Sequence, residues 1–319
     1  MNTIFNAYCA ITTGVSNLLE QGARLLVARP KPADITVEHN IRYLDEYRRC
    51  TLDFYYKPSE GKRPVFIYIH GGGFVSGVKE MRKHYCYKYV NDGFFCLNMD
   101  YEYSPKIHHP EHIRQVFKAI EFTLKNAERF NLDLSRVVVA GESAGAYLAA
   151  FVAVIAKNRD LYEKLGISFD FKDTFNVDAT ILISGLYDTK NLMDINFFNM
   201  KTFMRAYTGK TIPELNALRG TAFYEETSPS YWADSSFPPS AVIQSKLDPL
   251  RTESDAFNKR LTELGVEHLE YSCGGMCSMH AFAIASDTKQ GSACLAATKD
   301  FIYESLENKS ISEQPAIAG

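Results

Sequence analysis

Three short stretches carry residues whose types and spacing could do acyl chemistry. The first, VVVAGESAGAYLAA, runs an apolar strand into Gly141-Glu142-Ser143-Ala144-Gly145 and continues as a small-residue helix. A G-x-S-x-G turn in that setting is a nucleophile elbow, because small flanking residues let the chain reverse sharply and lift the serine hydroxyl above the sheet. The following helix points its N-terminus at the same place, which favours developing negative charge. A glycine-punctuated turn is the plainer reading of the pentapeptide alone; the strand before it and the helix after it favour a nucleophile at Ser143. The second stretch, YIHGGGF from Tyr68 to Phe74, ends another strand. Three consecutive glycines cost conformational entropy and need a reason. A phosphate loop would require a Gly-Lys pair that does not follow, and the third glycine of a dinucleotide fingerprint would fall on Ser76. An oxyanion hole fits better, with the N–H groups of Gly72 and Gly73 as donors, Gly71 shaping the turn and the Ala144 N–H completing the set. His70 ends a buried strand, so it reads as a structural residue holding the loop.

The third stretch is AVIQSKLDPLR, followed by YSCGGMCSMHAF. In the chain order Ser, then Asp or Glu, then His, the acid follows a late strand and the histidine follows the last one. Asp248 and His280 stand there. His280 would take the Ser143 proton and return it to the leaving group, and Asp248 would orient the imidazole and stabilise its charged form. The dodecapeptide around His280 also holds Cys273, Met276, Cys277 and Met279, which raises two other readings. C-x₃-C-x₂-H matches no common zinc spacing. A redox switch between Cys273 and Cys277 is weaker than the general-base reading but stays open. Asp188 also follows a strand, but one strand too early for the acid. His108, His109 and His112 form HHPEH, whose spacing is not HExxH; a solvated loop leading into a helix is the expectation, with no metal.

The elements that must position these residues alternate. VFIYIH (65–70), FFCLNM (94–99), RVVVA (136–140), TILIS (180–184), AVIQS (241–245) and HLEYS (268–272) read as strands, most apolar on both faces, as parallel strands covered on each side must be. TLDFYY (51–56) alternates more and fits an edge strand. Helical patterns fall at 80–91, 110–129, 144–157, 252–264 and 292–306. Strand–helix alternation of this kind predicts an open, doubly wound α/β sheet with right-handed crossovers. Residues 1–45 read as N-terminal cap helices and residues 190–225 as a cap insertion, leaving 46–307 as the core and 308–319 as a flexible tail.

Composition narrows the class. The 319 residues are 46% hydrophobic and 23% charged, with a formal charge of −3. That is an ordinary globular balance, and it offers no basic field for nucleic acid or an anionic membrane. Seven scattered cysteines suit reduced thiols in a cytosol-like compartment. The N-terminus lacks a basic lead before its apolar part, and no stretch reaches a membrane span, so a cytoplasmic location is expected.

At HGGGF, GESAG, LDPLR and MHAF the chain resembles the hormone-sensitive-lipase family of α/β-hydrolase carboxylesterases, over most of its length from about residue 50. The resemblance implies an α/β-hydrolase fold: a mostly parallel central sheet with helices on both faces and a helical cap. It implies Ser143, Asp248 and His280 as the triad and Gly72, Gly73 and Ala144 as the oxyanion hole. Glu142 takes the place of the family's acidic residue beside the nucleophile. Where the family carries DYRLAPEHPFPA this chain has DYEYSPKIHHPEH, without the arginine or the acid after proline, which affects loop packing. The implied activity is hydrolysis of small to medium acyl esters, with a small-molecule ester as partner and no cofactor; a homodimer is compatible. An amidase of the kynurenine-formamidase kind is the alternative. A ligand-binding protein on the same scaffold, like the gibberellin receptors, is a third reading, against which His280 speaks.

Overall fold

The computed structural model describes Phe5, Gly14 and residues 30–197, 199–275 and 279–312. Eight strands form one sheet: β1 (Thr36–Arg42), β2 (Thr51–Tyr56), β3 (Arg63–Ile69), β4 (Phe95–Met99), β5 (Leu132–Glu142), β6 (Ala179–Ile183), β7 (Ser240–Ser245) and β8 (His268–Cys273). Their spatial order is β1-β2-β4-β3-β5-β6-β7-β8. The β1–β2 and β2–β4 pairs are antiparallel and every other pair is parallel. This is the α/β-hydrolase fold.

Strand alternation builds a core on each face of the sheet. Val137 and Val139 of β5 join Val65, Ile67 and Ile69 of β3 on one face, while Val138 and Ala140 join Phe66 and Tyr68 on the other. The first face is covered by α2 (Glu111–Lys125) and α3 (Ala144–Lys157), the second by α1 (Lys83–Val90) and, near the far edge, by α10 (Lys289–Ser312). Every residue of α3 from Ala144 to Ala156 is buried. A helix that is apolar all round must be a central one, and AGAYLAAFVAVIA is such a sequence. Between β6 and β7 lie α4 (Thr189–Leu192), α5 (Met200–Thr208), α6 (Ile212–Ala217), α7 (Ala222–Glu226) and α8 (Pro229–Trp232); α9 (Arg251–Glu263) connects β7 to β8.

Three expectations are corrected. Residues 36–42 are strand rather than cap helix, so β1, not TLDFYY, is the edge. Its pattern of exposed and half-buried residues explains why: TVEHNIR has no apolar stripe, and it becomes a strand by pairing with β2. The last helix continues to Ser312, past the expected start of a tail at Glu307–Asn308. The helices expected before residue 30 lie outside the described residues, apart from Phe5 and Gly14.

Candidate active site

Register aligns the ends of the strands that carry the three motifs. Ile69 pairs with Gly141, Glu142 with Ile183, Ile183 with Ile243, and Ser245 with Cys273. The loops that follow all open along the carboxyl edge of the sheet, where such folds place ligands.

Ser143 sits between β5 and α3 at φ 53°, ψ −120°, a backbone conformation costly for a residue with a Cβ. Its own N–H donates to the Ile183 carbonyl at 2.8 Å, and its carbonyl accepts from Tyr147 at 3.2 Å. The two flanking glycines are required sterically. A Cβ on Gly145 would stand 2.0 Å from the Ile69 carbonyl oxygen, and one on Gly141 would stand 2.4 Å from that of Gly145. The elbow is therefore jammed between β3 and the first turn of α3, whose leading N–H groups lack intrahelical acceptors.

The glycine loop runs alongside. Gly72, Gly73 and Phe74 have φ of 122°, 60° and 66°. At Gly72 even a methyl is forbidden, since its Cβ would fall 2.1 Å from the Ser76 carbonyl oxygen. The Gly72 carbonyl is turned inward and accepts from the N–H groups of Val75 and Ser76. Among the described residues, no acceptor is found for the N–H of Gly72 or Gly73. Gly71 is spoken for: its N–H donates to Glu142 Oε1 at 2.8 Å, consistent with a supporting place rather than a donor's.

Glu142 is fully used. Besides Gly71 it accepts from Tyr68 Oη at 2.7 Å and from Arg82 Nε at 2.6 Å. Arg82 stands just before α1, and sequence reading passed over it. DYEYSPKIHHPEH holds the glycine loop through two bonds: Tyr101 Oη donates to the His70 carbonyl and the Ser104 N–H to the Phe74 carbonyl, each at 2.9 Å. His70 is buried, stacks on Tyr101 with ring centroids 4.4 Å apart, and has Nδ1 2.7 Å from the Gly71 carbonyl oxygen. Its Nε2 lies 3.2 Å from Asp100 Oδ1.

His280 and Asp248 meet, with Nδ1 2.8 Å from Oδ2. The other carboxylate oxygen, Oδ1, accepts from the Leu250 N–H at 2.9 Å. A carboxylate accepts only, so the proton of a neutral His280 is on Nδ1 and Nε2 carries the lone pair. Burial alone would raise the Asp248 carboxyl; the His280 contact, the Leu250 N–H and the Ser184 hydroxyl outweigh it and hold the group below the ordinary carboxylate range. Ser184, at φ 48° just past β6, also accepts the Ala281 N–H at 3.1 Å. It thus touches both the acid and the histidine loop. The only trace of it in the sequence was a small polar residue at the end of TILIS. Asp188 instead caps α4, accepting from the Lys190 N–H at 2.9 Å.

Two rings from the β6–β7 insertion complete the surroundings. Phe197 lies 5.2 Å from the His280 ring, and Phe203 covers Gly73, where a Cβ would meet its ring at 2.9 Å. One turn further along α5, Tyr207 stacks on Phe74 at 4.0 Å and donates to Tyr147 Oη at 3.0 Å.

Of the HHPEH histidines, His112 is buried in this packing, His109 is half-buried against it and His108 stays exposed, so the expected solvated loop holds only for its start. His108 Nδ1 is 2.8 Å from the Ala206 carbonyl oxygen, and His109 Nδ1 is 2.8 Å from Tyr207 Oη. His112 is buried 3.1 Å from Ser104 Oγ. Among the described residues no three His, Cys, Asp or Glu side chains form a metal-holding group. Burial pushes His109 down to about 4 and His112 down to about 3, from 6.5. Because the folded values lie below the unfolded one, unfolding takes up protons in acid. Their contribution to stability is complete above pH 6.5 and is lost as pH falls from there towards 3. Tm should fall through that window, and His112→Gln should flatten the fall; parallel Tm–pH curves would contradict this. Cys273 ends β8, but Cys277 lies outside the described residues.

A BD-FAE family model matches residues 52–261. The chain belongs to the BD-FAE family. That family is hormone-sensitive-lipase-like, in line with the motif resemblance. Esterase LipQ of Mycobacterium tuberculosis (strain ATCC 25618 / H37Rv) is 27% identical over 80% of this chain and 59% of its own. An acetyl esterase of Salmonella schwarzengrund (strain CVM19633) is 25% identical over 65% of this chain and 62% of its own. The chain thus spans less than two thirds of these relatives' length. Among solved structures, Esterase B of Lactobacillus Rhamnosis inhibited by a C4-C4 tributyrin phosphonate superposes with a TM-score of 0.83 at 20% identity, over 98% of this chain and 99% of that one. At that identity the likeness speaks for the fold. No described helix is long and apolar enough to cross a membrane.

Proposed function

We propose that this BD-FAE chain is a serine carboxylesterase acting on small to medium acyl esters. The pairing of His280 Nδ1 with Asp248 Oδ2 at 2.8 Å carries the reading, because it leaves Nε2 as a base at the same edge of the sheet as a strained serine. Ser143 Oγ attacks the ester carbonyl carbon as its proton passes to His280 Nε2. The carbonyl oxygen, now anionic, is met by the N–H groups of Gly72, Gly73 and Ala144, with Gly71 supporting the loop. The carbon–alkoxy bond then breaks, and His280 returns the proton to the departing oxygen, leaving Ser143 acylated. Water, deprotonated by the same nitrogen, releases the acid. Asp248 stays ionised throughout and stabilises the imidazolium.

The names of the relatives support an ester as the substrate, and the tributyrin phosphonate on Esterase B supports short acyl chains. The test is activity-based labelling. A fluorophosphonate should modify Ser143 alone, with loss of p-nitrophenyl acetate hydrolysis in step with labelling. An unlabelled, active protein would sink the proposal.

A further inference from the structure

The surroundings of Ser143 are unequal on its two sides, and the chemistry says which half of the substrate meets each side. His280 must deliver its proton to the departing oxygen, so the alcohol half of the ester lies on the His280 side. There the neighbours are Phe197, half-buried against the imidazole, and two outward apolar residues, Met279 at 62% exposure and Leu247 at 52%. These two directly precede His280 and Asp248 in the chain, so both are tethered to the acid–histidine pair. With the carbonyl oxygen met by the glycine loop, a ring seated on that loop limits the room beside the acyl chain. Phe203 stands there. Its ring leaves no room even for a Cβ on Gly73, and it is held by packing with Val75, Ala206 and Phe5, the last of which lies under the Arg205 guanidinium at 3.9 Å.

We infer that the enzyme takes a short acyl group joined to a bulky apolar alcohol, aryl or alkyl, with Phe203 setting the acyl limit and Phe197, Met279 and Leu247 receiving the alcohol. This rests on the serine-esterase reading and adds an asymmetry that reading does not require. Phe203 is a specificity residue, and its removal opens the acyl side without touching the base or the nucleophile.

Two substrate series test it: p-nitrophenyl esters of increasing acyl length, and acetates of increasing alcohol size from methyl to 1-naphthyl. In the wild type kcat/KM should fall beyond butyrate in the first series and rise in the second. Phe203→Ala should raise the octanoate-to-acetate ratio of kcat/KM by about tenfold or more, and Phe203→Trp should lower it. Met279→Gln with Leu247→Gln should reduce the naphthyl-to-methyl ratio by about fivefold, the scale of losing the burial of about one methylene. Fluorophosphonate labelling of Ser143 is followed in every variant. Labelling with unchanged ratios overturns the inference alone. Absence of both labelling and ester hydrolysis in the wild type overturns the esterase reading and this inference with it. If Phe203→Ala does not fold, the Phe203→Trp ratio decides.

Discussion

Ser143→Ala should lower kcat on p-nitrophenyl acetate by about 10⁶-fold, the scale seen when a serine nucleophile is removed from an intact triad. The substitution is well suited to isolating chemistry from folding. Ser143 holds φ 53° because Gly141 and Gly145 and the carbonyls around them force it there, and alanine carries the same Cβ as serine. Both backbone hydrogen bonds of residue 143, to Ile183 and from Tyr147, are independent of the hydroxyl. Tm should therefore stay close to wild type while turnover disappears. Stopped-flow measurement adds a second readout, since the burst of nitrophenol that reports the acyl-enzyme should vanish too. A variant retaining activity within about tenfold would move the nucleophile elsewhere.

Asp248→Asn should cost about 10⁴-fold in kcat, as expected when the orienting carboxylate of such a triad becomes an amide. The reason lies in what each oxygen does. Oδ1 accepts the Leu250 N–H and Oδ2 faces His280 Nδ1. An asparagine keeps its carbonyl oxygen towards Leu250, so its NH₂ must face the imidazole. Nδ1 is then forced to accept, the ring proton moves to Nε2, and the nitrogen that should take the Ser143 proton already holds one. The geometry is kept and the tautomer is wrong. The variant should remain folded and still bind substrate, with KM changed far less than kcat. A loss under about tenfold would show that His280 does not depend on this carboxylate for its tautomer.

The parts of the site that were legible in the sequence are those fixed by local sterics. GESAG and HGGG are glycine patterns that backbone clashes impose, and the structure shows the clashes at Gly72, Gly141 and Gly145. The parallel strands were legible because burial on both faces demands continuous apolar runs. The elements that escaped depend on partners distant in the chain. TVEHNIR becomes β1 only through β2. Ser184 matters because residues 248 and 281 come to it, and Arg82 because Glu142 does. HHPEH looks solvent-bound throughout, yet His112 is buried and α5, about a hundred residues away, supplies hydrogen-bond partners to His108 and His109. Polarity in a short window says nothing about what will later be laid on top of it.

The seating of α5 on the glycine loop has a consequence for redesign. Phe203 and Tyr207 rest on Gly73 and Phe74, at the end of the glycine loop proposed to meet the oxyanion. The insertion between β6 and β7 is therefore no interchangeable lid. Grafting the corresponding segment from a relative would exchange the surface against which the loop is moulded, so turnover would suffer along with selectivity. A chimera that keeps its rate would have to carry the loop's Phe74 and the helix's Tyr207 across together, as one unit of inheritance.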